Sequence, residues 1–162
     1  GGDTPDQFAA YGRCVVLALD GTTPNAVDAA VAAVGPGVDC GFTICGIGTI
    51  DGAEKAREGD RVRKHGRTTG YTEGRVTDVS YDTLIGADPR DPAVVGLFQN
   101  QIRIERVEGY PEFALPGDSG ALVVQADALK AVGLFFACPP TGEYGVANPI
   151  QEVLDRLEVT LV

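Results

Sequence analysis

The chain has 162 residues, 44% of them hydrophobic, and carries 13 Lys+Arg against 23 Asp+Glu for a formal net charge of −10. That apolar fraction sustains a core and excludes wholesale disorder, and the length suits one compact domain. The acidic balance excludes a nucleic-acid partner, because basic residues gather only at residues 57–67, and no apolar run approaches the roughly 18 residues of a membrane-spanning helix, so no membrane role is expected.

Residues 1–7 have neither the charged start nor the apolar middle of a signal peptide, and the sequence assigns no compartment. Beyond them, 22 Gly and 10 Pro fall between short β-branched runs, the punctuation of an all-β fold. Residues 13–19, 27–34, 40–47, 74–85, 95–107, 121–125 and 130–137 read as strands, several alternating so that one face enters a core. The polar stretches 20–25 and 35–39 read as softer joints. After Pro149 the period changes: Ile150, Val153, Leu154 and Leu157 recur at i, i+3, i+4 and i+7, as on an amphipathic helix. The expected fold is many strands and one C-terminal α-helix.

The segment suited to chemistry is Pro116-Gly117-Asp118-Ser119-Gly120, followed at once by the apolar strand Ala121-Leu122-Val123-Val124. Gly117 and Gly120 let the backbone turn tightly, so the amides of Gly117 and Ser119 can converge on a developing oxyanion. Asp118 can turn inward and hold the loop against a buried cation or an amide, leaving the Ser119 hydroxyl outward. Four cysteines, Cys14, Cys40, Cys45 and Cys138, permit three complete pairings. Cys40 and Cys45 could close a short loop, and a lone C-x4-C without a second pair of ligands or nearby histidines is only a weak signal for zinc.

Three segments together resemble the trypsin-like, chymotrypsin-fold serine proteases, and most closely their bacterial branch. They are Asp118-Ser119-Gly120 within its loop, Lys64-His65-Gly66-Arg67-Thr68-Thr69-Gly70 as a second-barrel turn, and Asn25-Ala26-Val27-Asp28-Ala29-Ala30-Val31-Ala32 as the aspartate strand. The resemblance implies a chymotrypsin-like double β-barrel in which residues 1–38 are a remnant of the first barrel and residues 39–162 form a complete second barrel with the nucleophile loop and the C-terminal helix. It implies Ser119 as nucleophile, Asp28 as the carboxylate that orients the base, and the amides of Gly117 and Ser119 as the oxyanion hole. It also places the substrate pocket around Phe113, Ala114, Phe136 and Ala137. An acid at the pocket base would select Lys or Arg, and Phe113 cannot do so. Arg67, Thr68 and Thr69 read as structural turn residues.

The family's chain order is His, Asp, Ser, yet no histidine precedes Asp28. His65 is the only one, and the order Asp28, His65, Ser119 is chemically allowed, since triads recur in different chain orders. The resemblance, however, sets His65 in a turn where the family carries no catalytic group, so it reads as a strand-end histidine. The expectation is a serine endopeptidase acting on peptide or protein substrates without metal or organic cofactor, its histidine supplied by a preceding segment or a second chain. An incomplete first barrel should then expose apolar strand edges. The alternative is a catalytically inactive binding or scaffold module that keeps the glycine-rich loop for folding.

Overall fold

A computed structural model describes residues 8–161, so the reading of residues 1–7 lies outside the described residues. In chain order the elements are β1 (Ala9–Cys14), β2 (Asp20–Asn25), β3 (Ala30–Val34), β4 (Thr43–Ile44), β5 (Gly48–Thr49), β6 (Arg61–Gly66), β7 (Gly70–Asp88), β8 (Asp91–Arg106), β9 (Leu122–Gln125), β10 (Ala131–Ala137), β11 (Tyr144–Pro149) and α1 (Ile150–Leu157).

Along β6 burial alternates, with Val62, Lys64 and Gly66 turned inward and Arg61, Arg63 and His65 turned out, as the two-residue period of a strand requires. Neighbouring strands continue this inner face. The order β11-β10-β9-β6-β7-β8 returns on itself through pairing of β11 with β8, so six antiparallel strands form a closed barrel with no free edge inside the ring. Val62, Val76, Ile102, Ile104, Phe113, Val123, Val132 and Phe135 fill it, each at most 2% exposed. A buried side chain of this size contributes roughly 1.5–3 kcal/mol relative to an exposed one, which makes this barrel the main stabilising unit.

The N-terminal part is open by comparison. β1 pairs only with β3, in a two-stranded antiparallel sheet, and β2 adds in parallel to the first half of β8. Of the eight exposed large hydrophobic side chains among the described residues, seven lie between Phe8 and Phe42. This concentration marks a sheet without a cover. A smaller core of Val27, Ala29, Val153 and Leu157 ties the segment before β3 to α1.

The structure is all-β with one C-terminal helix, and α1 spans the periodic residues read from the sequence. Some strand bounds need correction. Residues 13–19 are strand only as far as Cys14, because the chain then turns and the Val15 amide donates to the Ala29 carbonyl at 3.0 Å. Residues 40–47 contain just the two-residue β4. The polar stretch 20–25 is a strand, since β8 offers it an edge despite its poor β-propensity. β6 and β11 carry charge, glycine and proline and were not recognisable as strands from composition. All four cysteines are free thiols.

Candidate active site

The loop of residues 116–120 is shaped by two backbone turns. The Asp118 amide donates to the Leu115 carbonyl at 3.1 Å, and the Ala121 amide donates to the Asp118 carbonyl at 3.0 Å. The Gly120 amide then donates to the Phe135 carbonyl at 2.8 Å, which fastens the loop to β10. Gly117 sits at φ 103°, where a side chain is strained, and a Cβ there would fall 2.5 Å from the Thr68 hydroxyl. Glycine is therefore required by both backbone and neighbour.

Asp118 is the anchor. Its side chain enters the barrel end and accepts five hydrogen bonds. Oδ1 accepts from the Thr68 amide at 2.7 Å and the Thr69 amide at 3.1 Å, while Oδ2 accepts from the Thr69 hydroxyl at 2.7 Å, Lys64 Nζ at 3.0 Å and the Leu115 amide at 3.1 Å. Both members of the Lys64–Asp118 ion pair are fully buried. Burial alone would push the Asp118 carboxyl up, but the hydrogen bonds, that of the Thr69 hydroxyl first, outweigh it and hold the group well below the usual carboxylate range. Burial lowers Lys64, and Asp118 opposes that effect. The Lys64 ammonium also lies 5.4 Å from the Phe113 ring centroid and 5.9 Å from that of Phe135. Gly66 makes the approach of Asp118 feasible, since a Cβ there would overlap its carboxyl group.

With Asp118 turned in, Ser119 is left exposed, and its Oγ donates to the Phe136 carbonyl at 3.1 Å. The amides of Gly117 and Ser119 have no hydrogen-bond partner among the described residues. The loop thus presents a hydroxyl beside two uncommitted backbone donors.

Asp28 comes from the segment before β3 and is fixed through the buried Asn148 of β11. The Asp28 amide donates to Asn148 Oδ1 at 3.0 Å, and Asn148 Nδ2 donates to the Asp28 carbonyl at 2.9 Å and to the Leu134 carbonyl at 3.3 Å. Leu134 and Phe136, the two attachment points of Asp28 and Ser119, lie two residues apart on β10, roughly 7 Å along a strand. One strand thereby registers both groups. Asp28 is exposed, its carboxylate has no partner among the described residues, and partial desolvation by the neighbouring chain pushes its pKa up.

His65 projects from the outer face of β6, opposite Tyr71 and on the other side of the strand from Lys64. Its buried Nδ1 has no partner. Because Lys64 is the residue that reaches the 116–120 loop, its neighbour is directed away from Ser119.

Of the residues expected around the substrate pocket, Phe113 and Ala114 are fully buried in the barrel core, the Phe113 ring packing edge-on against Phe135 with centroids 6.4 Å apart. Phe136 is half-buried against Phe98, with centroids 4.9 Å apart. Ala137 borders a groove of about 310 Å³ of mixed polarity, shared with Thr83, Leu84, Cys138, Tyr144 and Val146. Two positions went unrecognised in the sequence. Lys64 was legible from the alternation Val62, Lys64, Gly66, whereas nothing in the sequence around Asn148 signals its clamp on Asp28.

No protein-family model and no curated protein matches the chain. Solved structures do match it. A glutamic acid-specific serine protease that utilises a histidine triad in substrate binding superposes with TM-score 0.69 at 22% identity, over 96% of this chain and 74% of that one. Nocardiopsis protease (NAPase) gives 0.67 at 18% identity over 95% and 74%, and Cellulomonas bogoriensis chymotrypsin 0.65 at 22% identity over 85% and 70%. The chain therefore has the fold of the bacterial chymotrypsin-like serine proteases, with one closed ring of strands and a C-terminal helix.

Proposed function

We propose that this chain supplies the nucleophile, oxyanion hole and triad aspartate of a serine endopeptidase, and that a histidine-bearing segment outside these residues, in the same polypeptide or in a second chain, supplies the general base. The observation that carries the reading is the pair of unpartnered amides, Gly117 and Ser119, beside an exposed serine hydroxyl on a loop locked by the buried Asp118–Lys64 pair. In the reaction, Ser119 Oγ attacks the scissile carbonyl while the imidazole takes its proton. The carbonyl oxygen becomes an oxyanion held by the two amides, the amine leaves with the proton returned by the imidazole, and water hydrolyses the acyl-enzyme by the same route. Asp28 accepts the far imidazole N–H, which gives its partly desolvated carboxylate a partner.

The open β1–β3 sheet, with its exposed Phe8, Tyr11 and Val34, supports an additional apolar strand segment at the same face. On these residues alone Ser119 is not activated, because its hydroxyl donates to a carbonyl and His65 is directed elsewhere.

The test is intact-mass analysis after treatment with a fluorophosphonate, on this chain and on the encoded polypeptide including any sequence upstream. A single adduct mapped to Ser119, absent in Ser119→Ala, is expected in the form that contains the base. A folded full polypeptide that takes no label sinks the reading and leaves the inactive binding module.

A further inference from the structure

A cavity of about 790 Å³ lies away from the 116–120 loop, none of whose residues lines it. It opens between the start of α1, the segment containing Ala53 and Lys55, and the middle of the β7–β8 hairpin. Its volume falls within the usual range for small-molecule sites. The floor is apolar, formed by Ala56, Ile102, Val132 and Ile150, all of them buried.

The wall on the hairpin side is built by irregularity in both strands. The β7–β8 register breaks between Asp78 and Tyr81 and again between Tyr81 and Thr83, and Val79, Ser80, Gln99 and Asn100, which have no ladder partner, border the cavity. Asp82 fixes that arrangement. Its carboxylate accepts from the Asn100 amide at 2.9 Å and from Gln99 Nε2 at 3.0 Å, while Asn100 is held at φ 57°, a left-handed conformation uncommon for a residue with a side chain. Bulges of this kind re-aim side chains beside functional sites.

The charges on the rim are uneven in their commitments. Glu54 is paired with Arg57 at 3.0 Å, and Glu152 accepts from Arg156 Nε at 3.3 Å. Lys55 has no carboxylate partner, and the two terminal nitrogens of Arg156 have no hydrogen-bond partner, among the described residues. Both acids are thus ion-paired, whereas among the described residues Lys55 is unpaired and Arg156 keeps its two terminal nitrogens free beyond its contact with Glu152. We infer that this cavity binds a small anionic amphiphile, its apolar body on the Ile102–Val132 floor and its carboxylate at Lys55 and Arg156. This site is independent of the peptidase reading, since neither Ser119 nor Asp28 borders it.

Decanoate, a ten-carbon carboxylate, is the probe, titrated into the full chain by isothermal calorimetry with decanol as the uncharged comparison. Saturable one-to-one binding is expected, with decanol clearly weaker. Lys55→Glu should weaken decanoate by about fivefold or more, the scale of a partly exposed charge interaction. Ala53→Trp, which adds an indole at an exposed point of the rim, should abolish binding while the thermal midpoint is unchanged; Ser80→Trp serves from the opposite wall if the first variant is unstable. No saturable binding, or binding that both Trp variants leave intact, overturns the inference, the second result placing the probe on the exposed apolar β1–β3 sheet instead.

Discussion

Lys64→Met removes the cation from a fully buried ion pair while keeping a side chain of similar length among Phe113 and Phe135. Asp118 keeps four hydrogen bonds but loses the only positive charge in contact with it. Removing one partner of a buried pair costs about 3–5 kcal/mol, and at roughly 2–4 °C per kcal/mol for a chain of this size the thermal midpoint should fall by roughly 6–20 °C at pH 7. The pH profile separates this loss from a simple change of packing. In the wild type the folded carboxyl of Asp118 titrates below its unfolded value, so its contribution is complete above about pH 4, the unfolded carboxylate value, and is lost as pH falls toward the depressed folded value. In Lys64→Met that depression shrinks, so the variant should lose less stability on acidification, and the two melting curves should draw together below about pH 3. Circular dichroism melts between pH 2 and pH 8 read both effects. A midpoint within 1–2 °C of the wild type at pH 7, on the order of 0.5 kcal/mol, would refute the account of Asp118 as an anchor held by charge.

Asn148→Ala deletes three hydrogen bonds around Asp28 and should cost about 2–4 kcal/mol, with early loss of amide-exchange protection at Val15, whose N–H bonds to the Ala29 carbonyl. Asp28→Asn should leave the thermal midpoint unchanged or slightly raised at neutral pH, by less than about 1 kcal/mol, because the partly desolvated carboxylate disfavours the folded state once ionised; the difference should vanish in acid, and base-dependent labelling of Ser119 should fall. Gly117→Ala forces a side chain to φ 103° against Thr68, and a loss of at least about 1–2 kcal/mol in urea unfolding should accompany loss of fluorophosphonate labelling.

The shape of the 116–120 loop is legible in the sequence because glycine and aspartate are restricted there by different physical demands, the turns at Gly117 and Gly120 and the inward anchoring of Asp118. The same holds for α1, whose period survives without tertiary information. What the sequence withheld were features created only by closure. Asp20–Asn25 is a strand because β8 presents an edge, and Asn148 reaches Asp28 across 120 positions. Phe113, which the resemblance sets at the base of a pocket, packs its ring inside the barrel, a placement its sequence neighbours do not signal. Lys64 shows that a buried charge is hidden by composition and revealed only by alternation along β6.

The sequence separations also imply an order of assembly. β6 and β7 form a tight hairpin and β7 and β8 a longer one, all local pairings, and the Lys64–Asp118 pair then joins groups 54 residues apart. The clamp of Asn148 on Asp28 must close a loop more than twice as long, from a segment with little core of its own. Loop-closure entropy and the small contact area both favour forming that clamp last. The barrel and its Ser119 loop are then a unit that matures first, and the segment carrying Asp28 docks on a finished surface at the final stage of folding.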